Sequence, residues 1–327
     1  MNLKNNLAGC DFLDNSINLI SVIGPTASGK TGLAVELAKH FNGEVVSADS
    51  MQIYKGMQIA TAKPTIQEMQ GIKHHLIDFL QPDQTYSVAM YINDAKKCIN
   101  DIYSRGKLPF VVGGTGLYVD SLLNNVKFSE EERDRKICDE LNEIYKTQGV
   151  DALLDILSEF DDKSAQRLKA EKNPKRIIRA IEFYKTTGKT ITEQIENSKL
   201  EPSPYNTIKL GLNFKDRQVL YDRINKRVDL MLDNGLLDEA KKVLSNNLSQ
   251  TSVKAIGYKE LIPYFNCEKT LEDCVENLKR ETRRYAKRQI TWFKRDKGIN
   301  WLYVDELSAD DLLSNAIEII SKGHLYG

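Results

Sequence analysis

Short apolar runs alternate along the chain with longer segments of helical periodicity. Ile17–Ile23 is rich in β-branched residues, as expected of a strand buried on both faces. Apolar residues then recur at helical spacing over 33–41, with Gly43 as the expected stop. Further short strands are predicted over 44–47, 108–112 and 208–213. This alternation predicts an α/β fold built on a parallel sheet.

A different pattern occupies the middle of the chain. Residues 129–198 are dominated by helical spacing and charge, and 161–189 holds nine basic residues against four acids. We therefore predict a helical insertion with one basic face over 126–199, between core segments 18–125 and 200–327. The mixed-charge run 130–136 predicts a solvated helix start. We interpret residues 201–204 (Glu-Pro-Ser-Pro) as the return linker and residues 1–17 as a loose N-terminal tail.

The first strand runs directly into a glycine-rich loop that fits G-x-x-x-x-G-K-[ST] at every position. Such a loop lets several backbone N–H groups and the following helix dipole point at phosphate oxygens. Lys30 would supply a charge for the outer phosphate, and the Thr31 hydroxyl can hold Mg²⁺. The pattern predicts a P-loop NTPase-like core. The loop residues are Gly24, Pro25, Thr26, Ala27, Ser28, Gly29, Lys30 and Thr31.

Asp49 follows the second predicted strand, so it is expected near the phosphate loop, because ligands of open α/β sheets bind beyond the carboxyl ends of the strands. Three roles are open for this side chain: a general base, an outer Mg²⁺ ligand, or simply the acceptor of an Asx turn. The strand over 108–112 ends in glycines and Thr115 rather than in the aspartate common in P-loop ATPases. That segment can hold further phosphate oxygens or a substrate base, or be a tight turn.

Two basic features lie late in the chain. Arg223 and Arg227 are four apart, so they share one helix face and could clamp a pyrophosphate; alternatively they pair with Asp222 or Asp229. Residues 279–297 hold nine basic residues against two acids, interleaved with aromatic side chains that could stack on unpaired bases. These aromatics are Tyr285, Trp292 and Phe293. The segment predicts a helix facing RNA or another polyanion.

Composition narrows the class of protein. The 327 residues carry 46 basic and 46 acidic side chains, so a nucleic-acid surface must come from local clustering. Five scattered cysteines without a C-x-x-C pair favour reduced thiols over disulfides or zinc. The sequence has no membrane-length apolar run and no signal-like start. We expect a monomer in the cytoplasm.

Taken in order, several motifs resemble the bacterial type of tRNA dimethylallyltransferase, also called tRNA isopentenyltransferase. The resemblance spans about residues 18 to 302 and is specific as a series. Its motifs are the phosphate loop, Ser47-Ala48-Asp49-Ser50-Met51-Gln52-Ile53-Tyr54, Thr61-Ala62-Lys63-Pro64, Gly113-Gly114-Thr115-Gly116-Leu117-Tyr118, Arg179-Ala180-Ile181-Glu182, Ala255-Ile256-Gly257-Tyr258 and Lys287-Arg288-Gln289-Ile290-Thr291-Trp292-Phe293.

The resemblance implies transfer of a dimethylallyl group from its diphosphate to N6 of the adenine 3′ to the anticodon of certain tRNAs. Asp49 matches the family's general base, and Arg223 matches the arginine that holds the leaving diphosphate. Lys30 and Thr31 match the pyrophosphate and Mg²⁺ contacts. Thr115 matches a residue near both the phosphate and the target base. The insertion would grip the anticodon stem-loop.

The resemblance also implies a set of tRNA-contacting residues, besides Asp49 and Thr115. They are Ser50, Met51, Gln52, Arg135, Gln166, Arg167, Lys254, Gly257, Tyr258, Lys279, Arg280, Arg283, Arg284, Lys287 and Arg288. One departure concerns Ala60, which stands where the family usually has glycine. No zinc-finger extension like that of the eukaryotic relatives is expected.

Three other functions compete with this one. A small-molecule kinase would explain only the phosphate loop, and a non-catalytic RNA-binding module only the basic segments. A transferase that prenylates free adenine nucleotides would share the core but would not need the basic segments. The phosphate loop also predicts that ATP can occupy the site nonproductively.

Overall fold

The computed structural model describes residues 16–126, 134–245, 248–249 and 251–323. Residues 1–15 of the predicted tail and 130–133 of the mixed-charge run therefore lie outside the described residues. The chain divides into two compact units, which are treated separately. The first comprises Met1–Thr85, Ala95–Val119 and Ser203–Gly327 as far as these are described, and the second Tyr86–Asp94 and Asp120–Pro202.

The first unit is built on a six-stranded sheet in which every pairing is parallel. The strands are β1 (Ile17–Ile23), β2 (Gly43–Ser47), β3 (His74–His75), β4 (Leu108–Gly113), β5 (Tyr205–Asn213) and β6 (Ile299–Tyr303). Their spatial order is β3-β2-β4-β1-β5-β6. Because β1 lies between β4 and β5, its apolar residues are buried on both faces and Leu19, Ile20 and Val22 have no exposed surface.

The helices follow the predicted alternation. They are α1 (Lys30–His40), α2 (Ile66–Met69), α3 (Val88–Ser104), α4 (Gly116–Leu123), α5 (Arg135–Ser158), α6 (Asp162–Glu171), α7 (Pro174–Thr187), α8 (Ile191–Leu200), α9 (Arg217–Asp233), α10 (Leu236–Leu244), α11 (Ile262–Phe265), α12 (Leu271–Phe293) and α13 (Ala309–Lys322). The main core lies where α1 and α13 cover the sheet, around Leu37, Phe110 and Ile320.

Two predicted boundaries differ from the structure. Gly43 does not stop α1, which ends at His40; Gly43 is instead the first residue of β2, because Phe41 caps the helix and Asn42 turns the chain with a positive φ of 50°. Strand β5 begins at Tyr205, earlier than the apolar pattern indicates, because its first residues pair in register with Ile17 and Asn18 of β1.

The second unit contains the helices predicted for the middle of the chain, and none of its described residues forms a strand. Its core joins α5, α6 and α7 through side chains such as Leu153, Leu168 and Ile181. Buried Asp161 accepts hydrogen bonds from Ser164 N at 3.0 Å and from Thr192 N at 3.1 Å, and so caps α6 and reaches the first turn of α8. The insertion boundaries 126–199 stay a prediction.

Candidate active site

The phosphate-loop motif lies between β1 and α1. Gly29 holds the left-handed backbone conformation (φ 88°) that starts α1, and no side chain caps the helix there. The first-turn N–H groups and the positive end of the helix dipole are therefore available for an anion. Lys30 Nζ donates to the carbonyl of Pro25 at 2.6 Å, so the lysine lies folded along the loop.

A cavity of about 1150 Å³ opens at this loop, all of it in the first unit. Its walls come from the loop over 26–31, the segment 49–52 after β2, the irregular loop 58–65, helices α9 and α12, and the segment 254–259. The cavity therefore joins the phosphate loop to most of the motifs singled out in the sequence. The predicted residues on it are Thr26, Ala27, Ser28, Gly29, Lys30, Thr31, Asp49, Ser50, Met51, Gln52, Arg223, Lys254 and Arg288.

Three cations concentrate positive charge at the phosphate loop. Arg223 Nε donates to Ala27 O at 3.1 Å, and Arg227 approaches Thr26 Oγ1 at 3.4 Å. Burial and the charge of Arg227 lower the pKa of Lys30 to about 7, and burial also lowers the pKa of Arg227. Like charges held this close disfavour their own ionisation, which an anionic ligand would relieve.

The alternative pairing of these arginines is not what the structure has. Asp222 instead accepts a hydrogen bond from Gln218 Nε2 at 2.8 Å, and Asp229 forms an ion pair with Lys279 at 2.7 Å. Arg223 and Arg227 are thus directed to the loop rather than to the acids beside them in the sequence.

Asp49 forms the turn that was one of its three predicted roles, and it also lies on the cavity. Its Oδ1 accepts hydrogen bonds from the backbone N–H groups of Met51 at 2.8 Å and Gln52 at 3.3 Å, so the turn predicted as the simplest role exists. The same side chain also lines the cavity together with Lys30. The turn fixes the carboxylate in the cavity, which suits a proton acceptor or a metal ligand.

Thr115 lies behind Asp49 rather than on the cavity wall. The N–H of Ser50 donates to Thr115 Oγ1 at 3.1 Å, and Thr115 N donates to Ala48 O at 3.1 Å. The phenol of Tyr285 interacts with the Thr115 side chain from α12. Thr115 therefore connects the glycine segment after β4 to the residues on either side of Asp49.

Gln289 is a site residue that stands in one of the sequence motifs but was given no role there. Its side chain is buried; Oε1 accepts a hydrogen bond from Thr26 N at 2.8 Å and Nε2 donates to Gly114 O at 2.9 Å. A Cβ at Gly114 would lie 2.2 Å from Gln289 Nε2, so this close approach requires glycine. One amide thus joins α12, the phosphate loop and the glycine segment.

The basic helix α12 forms one wall of the cavity through Thr282, Tyr285, Arg288 and Gln289. Its other predicted tRNA residues are on other faces. Two of them bind α9: Lys279 pairs with Asp229, and Arg283 donates to Asn225 Oδ1 at 2.6 Å. Two bond within α12: Arg280 donates to Asn277 Oδ1 at 2.6 Å, and Arg284 donates to Glu281 Oε1 at 2.7 Å. Lys287 is exposed.

The aromatic side chains of this helix do not all suit base stacking. Phe293 is only 1% exposed, so its predicted role as a stacking surface is wrong; it belongs to the protein core. Trp292 is half-buried and its indole lies against Gly116. Tyr285 lines the cavity, and its pKa is raised by burial and by the nearby charge of Asp49.

The segment 254–259 divides between the cavity and the interior. Lys254 and Lys259 line the cavity. Tyr258 is only 1% exposed, and its hydroxyl donates to Glu239 Oε1 at 2.9 Å. A tRNA contact by the Tyr258 side chain therefore does not fit this conformation. Gly257 is likewise buried, against Ala60.

Three predicted tRNA residues belong to the second unit. Arg135 is exposed at the first position of α5. Gln166 Nε2 donates to Asp162 Oδ2 at 2.7 Å, and Arg167 approaches Ser164 Oγ at 3.3 Å. Arg135 lies at the N-terminus of its helix, whereas Gln166 and Arg167 lie in the middle of α6. The tRNA contacts of all three stay predictions.

The oxygens present fit Mg²⁺. The Thr31 side chain and the Asp49 carboxylate both line the cavity, and hard oxygens are the ligands this ion prefers. In the part of the chain that the structure describes, no group of three or more His, Cys, Asp and Glu side chains is arranged to hold a metal. This donor set suits an ion held by one or two protein oxygens together with phosphate oxygens.

Comparison with known proteins covers most of the chain. The family model for IPP transferase matches residues 52–296, and that for isopentenyl transferase matches residues 17–86. A tRNA dimethylallyltransferase of Thermoanaerobacter sp. (strain X514) is 46% identical over 311 residues, which cover 94% of this chain and 98% of the relative. The chain belongs to the tRNA dimethylallyltransferase family.

Solved structures of tRNA dimethylallyltransferases agree with the fold. The crystal structure of the full-length tRNA isopentenylpyrophosphate transferase from Bacillus halodurans has a TM-score of 0.70 at 43% identity, covering 94% of this chain and 96% of that one. A eukaryotic dimethylallyltransferase acting on tRNA has a TM-score of 0.79 at 32% identity, covering 93% of this chain and 78% of that one. The P-loop NTPase-like core predicted from the sequence is that of this family.

Proposed function

We propose that this protein transfers a dimethylallyl group from dimethylallyl diphosphate to N6 of the adenine 3′ to the anticodon in tRNA, releasing diphosphate. The observation that carries the proposal is that one cavity presents a phosphate-binding loop, three cations and a carboxylate beside a basic helix. A kinase would use the loop alone, and an RNA-binding module would use the helix alone.

In the proposed reaction the N6 nitrogen of adenine attacks C1 of the dimethylallyl group. The C1–O bond breaks and its electron pair leaves on the diphosphate, while N6 loses a proton. An amine on an aromatic ring is a poor nucleophile, so it needs a nearby proton acceptor, and the leaving anion needs cations and aligned N–H donors.

The residues on the cavity divide these tasks. Lys30, Arg223 and Arg227 surround the phosphate loop and would stabilise the departing diphosphate. Asp49, fixed by the N–H groups of Met51 and Gln52, would accept the proton from N6. Mg²⁺, when bound with the diphosphate, would neutralise part of its charge, and Thr31 would hold it.

The target base must leave its stack to reach this cavity. An enzyme that acts on a base takes it out of the helix into a pocket, and the anticodon loop presents bases already unpaired. Arg288, Lys254 and Lys259 lie at the cavity and would neutralise the tRNA backbone around the flipped adenine. The insertion residues Arg135, Gln166 and Arg167 are proposed to contact the anticodon stem-loop.

Transfer of labelled dimethylallyl from its diphosphate to unmodified bulk tRNA tests the proposal, with AMP as a parallel acceptor. We expect label in tRNA, recovered on adenosine after digestion, and none in AMP. Label in AMP alone would assign the protein to the free-nucleotide transferases. Label in neither acceptor would contradict the proposal.

The phosphate loop also supports nonproductive binding of ATP in competition with dimethylallyl diphosphate. No competition by ATP at millimolar concentrations would overturn this part. In the described part of the chain no helix has the length and apolar character needed to cross a membrane. A cytoplasmic monomer is proposed, which cell fractionation and size-exclusion chromatography with light scattering would test.

A further inference from the structure

One partly buried contact behind the cavity wall has no part in the reaction described above. Glu239, in the first turn of α10, accepts hydrogen bonds from three successive backbone N–H groups of the loop 58–65. The distances are 2.8 Å from Gln58 N, 2.8 Å from Ile59 N and 3.0 Å from Ala60 N. Ile59 and Ala60 line the cavity, whereas Glu239 does not.

This arrangement is a backbone anion site filled by the protein's own carboxylate. Consecutive N–H groups that converge on one point form a concave binding site for an anion, and bonds to a charged acceptor are stronger than neutral ones. The segment 56–65 forms no helix or strand. The N–H groups of Gln58, Ile59 and Ala60 therefore have no helix or strand partner, and the Glu239 carboxylate accepts their hydrogen bonds instead.

The same carboxylate reaches a second wall of the cavity. The hydroxyl of Tyr258 donates to Glu239 Oε1 at 2.9 Å, and the neighbouring residues Ala255 and Ile256 line the cavity. Gly257 (φ 116°) lies so close to the loop that a Cβ there would approach the Ala60 Cβ to 2.7 Å. Glu239 thus holds two wall segments that also pack against each other.

A short chain of bonds leads from this loop to Asp49. The side-chain amide of Gln52 donates to Thr61 O at 3.2 Å and to Ala62 O at 3.1 Å. The backbone N–H of Gln52 in turn donates to Asp49 Oδ1 at 3.3 Å. The position of the loop therefore affects the residue that orients the proposed base.

We propose that Glu239 is a positioning residue, which fixes the loop 58–65 and the segment 254–259 as walls of the cavity and, through Gln52, sets the orientation of Asp49. The inference rests on the proposed transfer activity. The proposed diphosphate contacts come from the phosphate loop and α9, whereas the Glu239 carboxylate bonds to the loop 58–65 and the segment 254–259. Loss of Glu239 should therefore lower kcat more than it raises the KM for dimethylallyl diphosphate.

The test compares Glu239→Gln with Asp238→Asn. The amide of glutamine keeps one acceptor oxygen but turns an NH₂ group toward backbone donors, so the site is broken with little change in volume. Asp238 is an exposed acid in the same helical turn, so Asp238→Asn removes an equal charge without touching the loop. Steady-state transfer to tRNA and hydrogen exchange of the amides of 58–60 are measured for each protein.

We expect Glu239→Gln to lower kcat by about tenfold or more, with the KM for the donor changed less than about twofold, and to speed exchange at 58–60. Asp238→Asn should match the parent protein in both readouts. Parent-like kinetics and exchange in Glu239→Gln would overturn the inference, and so would an effect confined to the donor KM.

A second variant applies if Glu239→Gln does not fold. Tyr258→Phe removes a single hydrogen-bond donor to the same carboxylate. A smaller fall in kcat with an unchanged KM for the donor substrate supports the inference, and parent-like behaviour overturns it. If the parent protein transfers nothing to tRNA, the proposed function fails by itself. The exchange measurement then still decides whether Glu239 holds the loop.

Discussion

The backbone N–H of Thr26 donates to Gln289 Oε1 at 2.8 Å, which joins residues 263 positions apart. The same amide donates to Gly114 O at 2.9 Å. The phosphate loop and the glycine segment after β4 are therefore held in place by α12, the helix that carries most of the basic residues in the C-terminal region. Contact of a polyanion with this helix would act on the same element that orders the phosphate loop.

Changing this amide to a carboxylate should impair transfer. Gln289→Glu keeps the acceptor for Thr26 N but removes the donor to Gly114 O and places a negative charge next to the phosphate loop. We expect kcat/KM for dimethylallyl diphosphate to fall by about 100-fold, because both effects oppose the bound diphosphate. Steady-state transfer assays at fixed tRNA concentration measure this.

The matched control is Asn277→Asp, the same amide-to-acid change on α12 at a position remote from the phosphate loop. It should leave kcat/KM within about twofold of the parent value, as surface changes usually do. Equal losses in both variants would mean that added negative charge on the helix, rather than the Gln289 bridge, controls activity.

Binding of dimethylallyl diphosphate should take up protons. Burial and the charge of Arg227 lower the pKa of Lys30 to about 7, so this lysine is mostly neutral at pH 8 in the free protein. A bound diphosphate favours the charged form and raises this pKa. Uptake should approach about one proton at pH 8 and disappear below pH 6, where Lys30 is already charged.

Isothermal titration calorimetry in buffers of different ionisation enthalpy measures this uptake. Arg227→Gln removes one cause of the lowered pKa and should reduce the uptake at pH 8, whereas Arg217→Gln, at an exposed position of the same helix, should not. A binding enthalpy independent of the buffer at pH 8 would show that Lys30 is charged before the ligand arrives.

A buried carboxylate at the start of β2 should be important for stability. Glu44 is 3% exposed and is held by Arg105 at 2.6 Å, Lys107 at 2.8 Å and His75 at 2.8 Å, which keep its pKa well below the usual range. Glu44→Gln should lower the free energy of unfolding by about 3 kcal/mol, since its partners lose their counter-charge. Chemical denaturation at pH 7 measures the loss.

The pH dependence of this contribution has a definite sign. Because the pKa of Glu44 is lowered on folding, its stabilisation is complete above its ordinary pKa of 4.5 and is lost as the pH falls below that value. The difference between the parent and Glu44→Gln should therefore shrink toward pH 3. Glu36→Gln, which breaks an exposed pair with Lys39, should cost less than about 1 kcal/mol.

Local sequence signals predicted the phosphate loop and the four inner strands of the described sheet, because strand burial, glycine spacing and helix starts depend on neighbouring residues. The two edge strands, β3 and β6, were not predicted. Contacts between segments far apart in the sequence could not be predicted from local patterns. Nothing in the pattern around Gln289 or Glu239 indicates that each serves a loop far away in the chain. Counting basic and aromatic residues on α12 also could not separate Tyr285, on the cavity, from Phe293, in the core.

The most direct measurement of the central proposal is single-turnover transfer by Asp49→Asn. The asparagine side-chain oxygen can still accept the N–H groups of Met51 and Gln52, so the turn is kept while the proton acceptor is removed. With saturating dimethylallyl diphosphate and tRNA, we expect the transfer rate to fall by at least about 100-fold with donor affinity nearly unchanged. A rate close to that of the parent protein would contradict the assignment of Asp49 as the base.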